Sequence, residues 1–530
     1  MSAVPFRPTP EMRSPTIEPV GQPVSPARFC ERTRLSGRAT RERRCAVGAG
    51  ASAPARLLRE NGPHPRPLSQ YWERGEIQTP CTSSHRSGYN RRRDMSDADC
   101  LDQTGARMTN DRLQRVFTEI DNRRDQLIAD LQSLVRIPSV TGDEGAVQDQ
   151  VQSLFETRNL QIDRWETSRE DILPYMEHVG DQPSYEGRPN VVGTLAGAGN
   201  GRSIMLNGHI DVVDPGDASF WKHGPWSGAV EGDLLYGRGS CDMKGGMATF
   251  LLAIDALNAA GIKLAGEVKI AATVGEEDGG FGSLGTILRG HRADGVVISE
   301  PTRLAIVAAQ AGSLVARITV TGKSAHGAMR DEGVSAVEKF IPIFQDLQRW
   351  EAERNASLDH PLFADAANKI PISFGKVRSG EWHSTVPETL IAEGRIGLLP
   401  GEDMHEFQEA VRQRVLNAAK QDFWLSQHPP DVEFFSGQFA PGETRPDEPL
   451  PTALASAHQQ VTGQAPIVTG ITAGTDMRLY TEIGNMPCII YGAGDVSVAH
   501  QNDEHISISD IQTAAKTIAT LLIDWCGVTD

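Results

Sequence analysis

Residues 206–246 read LNGHIDVVDPGDASFWKHGPWSGAVEGDLLYGRGSCDMKGG. Directly before them stands the apolar run Ile204-Met205-Leu206, and directly after them Met247–Leu257 has the composition of a helix. A strand ending in Gly208-His209-Ile210-Asp211, followed by a helix entered through Gly239-Ser240-Cys241-Asp242-Met243-Lys244-Gly245-Gly246, is a β-to-α passage of the kind that builds α/β sheets. Its ends carry an imidazole and two carboxylates. Zinc takes His nitrogen and Asp or Glu oxygen, and a catalytic zinc keeps one position open for water. Taken alone, the stretch equally allows a core histidine, a strand-end aspartate and a helix N-cap.

Working outward, Thr109-Asn110-Asp111 is predicted to cap a helix that buries Leu113, Val116, Ile120, Leu127, Leu131 and Leu134 and stops at Ile137-Pro138. A second amphipathic helix is predicted over about 144–158. Strands are expected at 190–195 and 203–206, as neighbours joined by the glycine turn 197–201. That turn is not a phosphate cradle, because a strand follows it where a dinucleotide site needs a helix. Helix 243–260 and strands 267–274 and 294–298 continue the alternation, so an α/β sheet covered on both faces is expected.

At about Gly312 the pattern changes. Ser313–Val320 alternates apolar and polar, as a strand with one solvated face does. Helix 333–351, strands 369–377 and 388–398, helix 404–419 and strand 431–435 complete a β-α-β-β-α-β order, the ferredoxin-like unit. Gly322-Lys323-Ser324 within it is no Walker loop, since position 317 is Arg. From about Gln438 the α/β character returns, with helices at 451–460 and 476–482, a strand at 487–491, and a last helix capped by Ser509 with Gln512. The simplest organisation has four parts. They are an extension over 1–108, a larger domain in two pieces (109–312 and 438–530), and a smaller domain inserted at 313–437.

Further acidic and histidine-bearing segments fall at strand ends. Gly275-Glu276-Glu277-Asp278-Gly279-Gly280 follows one strand, Ser299-Glu300-Pro301-Thr302 the next, and Ser497-Val498-Ala499-His500 follows the strand near 487–491. Adjacent carboxylates repel one another unless they are solvated or share a cation. Functional groups of open α/β sheets gather at the carboxyl ends of strands.

The ordered series GHID, GRGSCDMKGG, GEED, SEPT, GKSAHG, AGTDMR and AHQNDEHI resembles the co-catalytic zinc metallopeptidases that include acetylornithine deacetylase, succinyl-diaminopimelate desuccinylase, aminoacylase and glutamate carboxypeptidase. The resemblance covers about 109–530. It implies a zinc-peptidase-like α/β catalytic domain with a mixed sheet, interrupted by a lid that also makes a homodimer. It implies two Zn2+ per subunit, with Co2+ or Mn2+ as substitutes. His209, Asp242 and Glu300 would hold one ion; Glu277, His500 and the same Asp242, as a bridge, would hold the other. Asp211 would orient His209 through its other ring nitrogen. Glu276 would be the general acid/base, and His326 of the lid would reach a neighbouring subunit's site to stabilise the oxyanion. Two metals about 3.5–4 Å apart would acidify a water toward neutral pKa, and the amide of a small N-acyl substrate would be hydrolysed.

Arg395 and Arg478 are candidates to hold a substrate carboxylate, because a guanidinium suits bidentate recognition, with surface or structural pairing the equal alternative for either. Relatives that bind such substrates often carry Asn shortly before the lid's Val/Ile-Pro. Here the stretch is His383-Ser384-Thr385-Val386-Pro387, with Ser in that place, which leaves room for a deformylase or another small-amide deacylase. A dipeptidase or carboxypeptidase with the same two metals is the alternative, and a non-catalytic metal-binding module a more remote one. His223, His383 and His505 are read as structural or surface residues.

Composition bounds the setting. The net charge is −17, yet residues 1–94 hold 17 Arg against 8 Asp and Glu, so the remainder is strongly acidic. An acidic body argues against nucleic acid as a partner. No apolar run approaches the ~18–20 residues of a membrane span. The seven cysteines have no paired spacing, which fits a reducing, cytoplasmic setting. The Pro-, Arg-, Ser- and Gly-rich arm is expected to be disordered. Its stretch 61–76 resembles translated intergenic repeat, so a start at Met95 or Met108 is expected, with an Arg-rich transit peptide as the rival reading. On the first reading, a chain begun at Met108 has the same melting temperature and turnover as the full chain, which thermal melts and side-by-side rate measurements check.

Overall fold

The computed structural model describes residues 111–529. The expectations for the arm, for the starts at Met95 and Met108 and for the cap at Thr109-Asn110 lie outside that range. The described chain opens with α1 (111–122) and α2 (Arg124–Val135). One helix was expected here. It is interrupted at Arg123, whose backbone leaves helical geometry (φ −100, ψ 19) and donates to the Ile120 carbonyl. Both halves still bury the six expected apolar side chains. Helix α3 (Gly145–Glu156) follows.

The strands of the main sheet are β1 (Gln161–Glu166), β2 (Pro189–Leu195), β3 (Ile204–His209), β4 (Val268–Thr273), β5 (Val296–Ile298) and β6 (Ile306–Gln310). The chain then leaves for a second sheet made of β7 (Gly312–Thr321), β8 (Ile372–Ser379), β9 (Thr389–Leu398) and β10 (Asp431–Phe434). It returns with β11 (Gly442–Glu443), β12 (Val468–Ile471) and β13 (Cys488–Ile490). The nine-stranded mixed sheet runs β1-β2-β4-β3-β5-β13-β6-β11, with β12 also pairing β6. Within it β4, β3, β5 and β13 are consecutive and mutually parallel. Every residue of β3, β5, β6 and β13 is buried, as in a sheet covered on both faces. Helix α4 (Gly245–Ala259) packs on β3, and α5 (Phe281–Leu288) packs on β4 and β2.

The strands β2 and β3 are not neighbours, contrary to the sequence expectation, because β4 lies between them, antiparallel to β2 and parallel to β3. The glycine segment carries the chain past that slot. Ala198 and Gly199 donate to the carbonyls of Leu264 and Ala265. A Cβ on Gly201 would stand 1.8 Å from the Cys526 carbonyl oxygen and 2.4 Å from the Gly266 nitrogen. Only a residue without a side chain lets three backbone segments meet there.

The smaller sheet is antiparallel throughout, in the order β8-β9-β7-β10. It has its own apolar core, in which the inward positions Leu314, Ala316, Ile318 and Val320 of β7 meet residues of α6 (Ala336–Ser357) and α7 (Met404–Ala419). Alternating burial along β7 follows from helices covering one face only. In the main body, α8 (Pro449–Thr462) packs against α9 (Ile508–Cys526). Helix α9 buries Ile511, Ala515, Ile518, Leu522 and Trp525 as expected, but its cap is Ser507, which accepts from the Asp510 amide. The hydroxyl of Ser509 donates instead to Asp233, and Gln512 reaches Arg124 and the Ile120 carbonyl.

Gly201→Ala is expected to lose about 1–3 kcal/mol, because the obstructing atoms are backbone. Gly375→Ala, with nothing within 4 Å of its added Cβ, should stay within about 0.5 kcal/mol of the parent. Urea unfolding of the two variants measures the difference.

Candidate active site

The parallel strands β4, β3, β5 and β13 end at one edge of the sheet, and the chemistry-bearing segments leave from there. His209 is the last residue of β3, Glu276 and Glu277 follow β4, Glu300 follows β5, and the loop after β13 carries His500. Asp242 reaches the same edge from the irregular turn Ser240–Lys244, which leads into α4 and contains a cis peptide between Asp242 and Met243. The helix can start this close because of Gly246, where a Cβ would stand 2.4 Å from the Ser299 carbonyl oxygen. Buried Lys244 anchors the turn by donating to the carbonyls of Leu134 and Ile137 at the end of α2. Burial lowers its pKa to about 7.

Two groups of ligand atoms result, each within 4.8 Å: His209, Asp242 and Glu300, and Asp242, Glu277 and His500. Asp242 is common to both. Its Oδ1 lies 3.1 Å from His209 Nε2, and its Oδ2 lies 3.4 Å from His500 Nε2. Glu300 is 3.6 Å from His209 Nε2, and Glu277 is 3.1 Å from His500 Nε2. His500 is held at φ 59, a left-handed backbone that residues with a side chain seldom adopt.

The tautomer of His209 follows from its surroundings. Its Nδ1 is 2.9 Å from the Asp211 main-chain oxygen, an acceptor only, so Nδ1 carries hydrogen. Its Nε2 then faces carboxylate oxygens on Asp242 and Glu300, an arrangement that requires a proton or a cation between them. Burial opposes charge on this imidazole, but Glu300 and Asp242 outweigh it and raise its pKa well above the ordinary value. Hydrogen bonds to Asp242 and Glu277 raise His500 to about 10. Burial, then the charge of Asp242, push Glu300 up to about 8. Burial also opposes ionisation of Asp242, yet hydrogen bonds from the two imidazoles hold it below the usual carboxylate range. A cluster of carboxylates and imidazoles with too little positive charge, its lone pairs converging on two points, suits two divalent ions.

Asp211 does more than the sequence reading assigned to it. Its main-chain carbonyl orients His209, while its carboxylate stands 3.7 Å from Nδ1 and serves the neighbouring loop. Oδ1 accepts from the Glu276 amide and Oδ2 from the Glu277 amide, each at 3.2 Å, and Thr141 donates to Oδ2 at 3.0 Å. Glu276 is thereby held from behind. No described residue donates a hydrogen bond to its carboxylate, and its pKa is raised well above the ordinary value by burial and by the charges of Asp476, Glu300 and Glu277, with His209 opposing.

The remaining candidates are placed differently. His326 lies on an exposed loop, its Nδ1 accepting from the Ala328 amide at 3.1 Å, which leaves Nε2 as an N–H donor. No hydrogen bond or ion pair joins it to the cluster among the described residues. Arg478, a candidate for a substrate carboxylate, is 1% exposed and is committed to the main chain. It donates to the carbonyls of Thr475, His178 and Gly279 and lies 3.9 Å over the Phe439 ring. Half-buried Arg395 of β9 donates to the Thr472 carbonyl and leaves Nε without a partner.

One residue that sequence reasoning passed over stands behind the shared ligand. Glu504, fully buried, accepts from the amides of Cys241 and Asp242 at 3.0 and 3.1 Å, and Arg238 donates to its other oxygen. It lies in the AHQNDEHI segment, but its role is not marked there, because the amides it holds are about 260 positions away in the chain.

Known proteins are similar to this chain in sequence and in fold. An N-formyl-4-amino-5-aminomethyl-2-methylpyrimidine deformylase of Halalkalibacterium halodurans is 27% identical over 437 residues, 78% of this chain and 97% of that protein. A probable succinyl-diaminopimelate desuccinylase of Staphylococcus aureus is 24% identical, covering 76% of this chain and 98% of its own. A dipeptidase of Saccharomyces cerevisiae shares the fold, with a TM-score of 0.61 and 16% identity over 79% of this chain and 99% of that one. The sequence profile of peptidase family M20/M25/M40 matches residues 205–524, more than half of the chain, from the strand that presents His209 to the last helix. The chain belongs to that family.

Proposed function

We propose that this protein is a metal-dependent amide hydrolase that removes a small acyl group from an amine or amino acid. The observation that carries the reading is Asp242, whose two oxygens face two different imidazoles while Glu276 stands beside them with its carboxylate uncommitted. His209, Asp242 and Glu300 would hold one divalent ion and Asp242, Glu277 and His500 the other, with zinc as the metal favoured by this mixture of nitrogen and oxygen donors. Two such ions supply Lewis-acid polarisation of the amide carbonyl and acidify water at the site.

The chain's own groups do the rest. Glu276, with its raised pKa, takes the proton of the attacking water and returns it to the departing amine. The Asp211 carboxylate keeps Glu276 and Glu277 in register through their amides. His326, with its hydrogen on Nε2, is suited to donate to a developing oxyanion. We assign it to a partner copy's site, with 313–437 as the lid and dimerisation domain between the catalytic pieces 109–312 and 438–530. Exposed Val337 and Ile341 on α6 and Val377 on the edge strand β8 support a homodimer through that surface. Arg395 remains the candidate for a substrate carboxylate, being half-buried and paired with no carboxylate among the described residues. A cytoplasmic setting belongs to the same reading, supported by the free, buried Cys241, Cys488 and Cys526; among the described residues no helix is long and apolar enough to cross a membrane.

A panel of formyl, acetyl and succinyl amides beside dipeptides tests the function. Chelator-sensitive release from acyl substrates alone is expected, and cleavage of dipeptides alone would move the function to a peptidase on the same site. Glu276→Gln should keep its metal content and lose about 10²–10⁴-fold in kcat. Asp242→Ala should lose metal at both positions, read by metal analysis after dialysis. The pH dependence has a definite sign. His209, His500 (about 10) and Glu300 (about 8) hold protons at neutral pH in the metal-free protein and must release them to bind a metal. Metal affinity should therefore fall as pH is lowered, and loading in weak buffer near pH 7 should release protons, as a pH electrode records.

A further inference from the structure

Two loops supply the central groups of the site, and each is held from behind by a buried carboxylate, Asp211 with one oxygen per amide and Glu504 with a single oxygen for both. Asp211 takes the successive amides of Glu276 and Glu277; Glu504 takes the successive amides of Cys241 and Asp242. A buried carboxylate that accepts two adjacent main-chain N–H groups fixes the peptide plane between them, and with it the direction in which the following side chain leaves. For Asp242 that direction is demanding, since one oxygen must meet each of the two ligand groups. The turn Ser240–Lys244 has little regular structure of its own to set it: Asp242 and Met243 lie outside helical geometry, at φ −122 and −132.

We infer that Glu504 is a positioning residue for Asp242, holding the shared ligand on both metal positions through main-chain hydrogen bonds. The inference rests on the reading that Asp242 bridges two ions. The second oxygen of Glu504 is held by Arg238, which is aligned in turn over the Trp221 ring at 5.2 Å. Glu504 is itself placed by the short strand His505–Ser507, which pairs with Leu234–Tyr236 just ahead of the turn, and its carbonyl accepts from the Gly237 amide. The loop bearing His500 and the turn bearing Asp242, which carry two of the three groups of the second position, are thus tied through one residue.

The signature of this role is that both ions weaken together. Outer hydrogen-bond partners of metal ligands are worth about 10–100-fold in affinity. Co2+ titration of the full chain, followed by visible absorption, should show Glu504→Ala weakening both binding steps by that amount, whereas Glu277→Gln weakens one. Glu504→Gln should restore most of the affinity, because its amide oxygen reaches the same two N–H groups. Gly201→Ala, strained at the opposite end of β3, serves as a destabilised comparison and should bind both ions normally. If Glu504→Ala does not fold, Glu504→Asp replaces it, since one methylene fewer withdraws the acceptor from both amides. Unchanged affinity at either ion in a folded Glu504→Ala or Glu504→Asp protein would overturn the inference. So would a Glu504→Gln protein as weak as Glu504→Ala, because the ion pair with Arg238 would then be what matters. Failure of the parent chain to bind two ions would instead remove the bridging reading beneath it.

Discussion

The Asp242 carboxylate shared between two imidazoles is the contact on which the arrangement depends. Charge of one sign is crowded there: Glu276, Glu277 and Glu300 converge on the same small volume, and burial makes each of them costly to ionise. The imidazoles of His209 and His500 offset part of that charge only by remaining protonated. Such a cluster persists because the backbone around it is fixed by other means. Buried carboxylates on Asp211 and Glu504 accept main-chain amides, Lys244 donates to main-chain carbonyls at the end of α2, and Arg478 ties the Gly279 carbonyl to Thr475. Each of these is a buried polar group bonded to backbone, which is how strained and charged loops are kept in one conformation.

The sheet supplies the coarse placement. Because β4, β3, β5 and β13 are adjacent and parallel, their carboxyl ends present four segments side by side at one edge. The antiparallel strands lie to either side and carry none of the ligands. The smaller sheet has an independent core and contributes Arg395, which reaches the Thr472 carbonyl of the main body. His326 belongs to that smaller sheet's loops, and no hydrogen bond or ion pair joins it to the cluster among the described residues.

Much of this was legible beforehand because local patterns carried it. Unbroken apolar runs marked the buried parallel strands, and alternation along Ser313–Val320 marked a sheet covered on one face; the β-α-β-β-α-β order of the smaller sheet followed from periodicity alone. The His209, Glu276, Glu277 and Glu300 positions stood out as polar groups at strand ends. What was misread depended on distant partners. The glycine turn at 197–201 looked like a hairpin connection, yet its glycines serve a three-way backbone contact with Gly266 and Cys526. Ser509 looked like the cap of α9, but Asp233 claims its hydroxyl and Ser507 caps instead. Arg478, for which a substrate carboxylate and a structural pairing were both open, is buried against Phe439.

The sequence by itself therefore determined the class of fold and marked the imidazoles and carboxylates that fall at strand ends, since periodicity and residue type are local properties that survive without knowledge of neighbours. Tertiary structure alone decided how those groups are held: that residue 211 orients His209 through its carbonyl rather than its carboxylate, and that Glu504 stands behind Asp242. Main-chain amides are the same at every position and leave no mark in a sequence. Which of them a buried carboxylate accepts from is settled only when strands far apart in the chain pack into one edge.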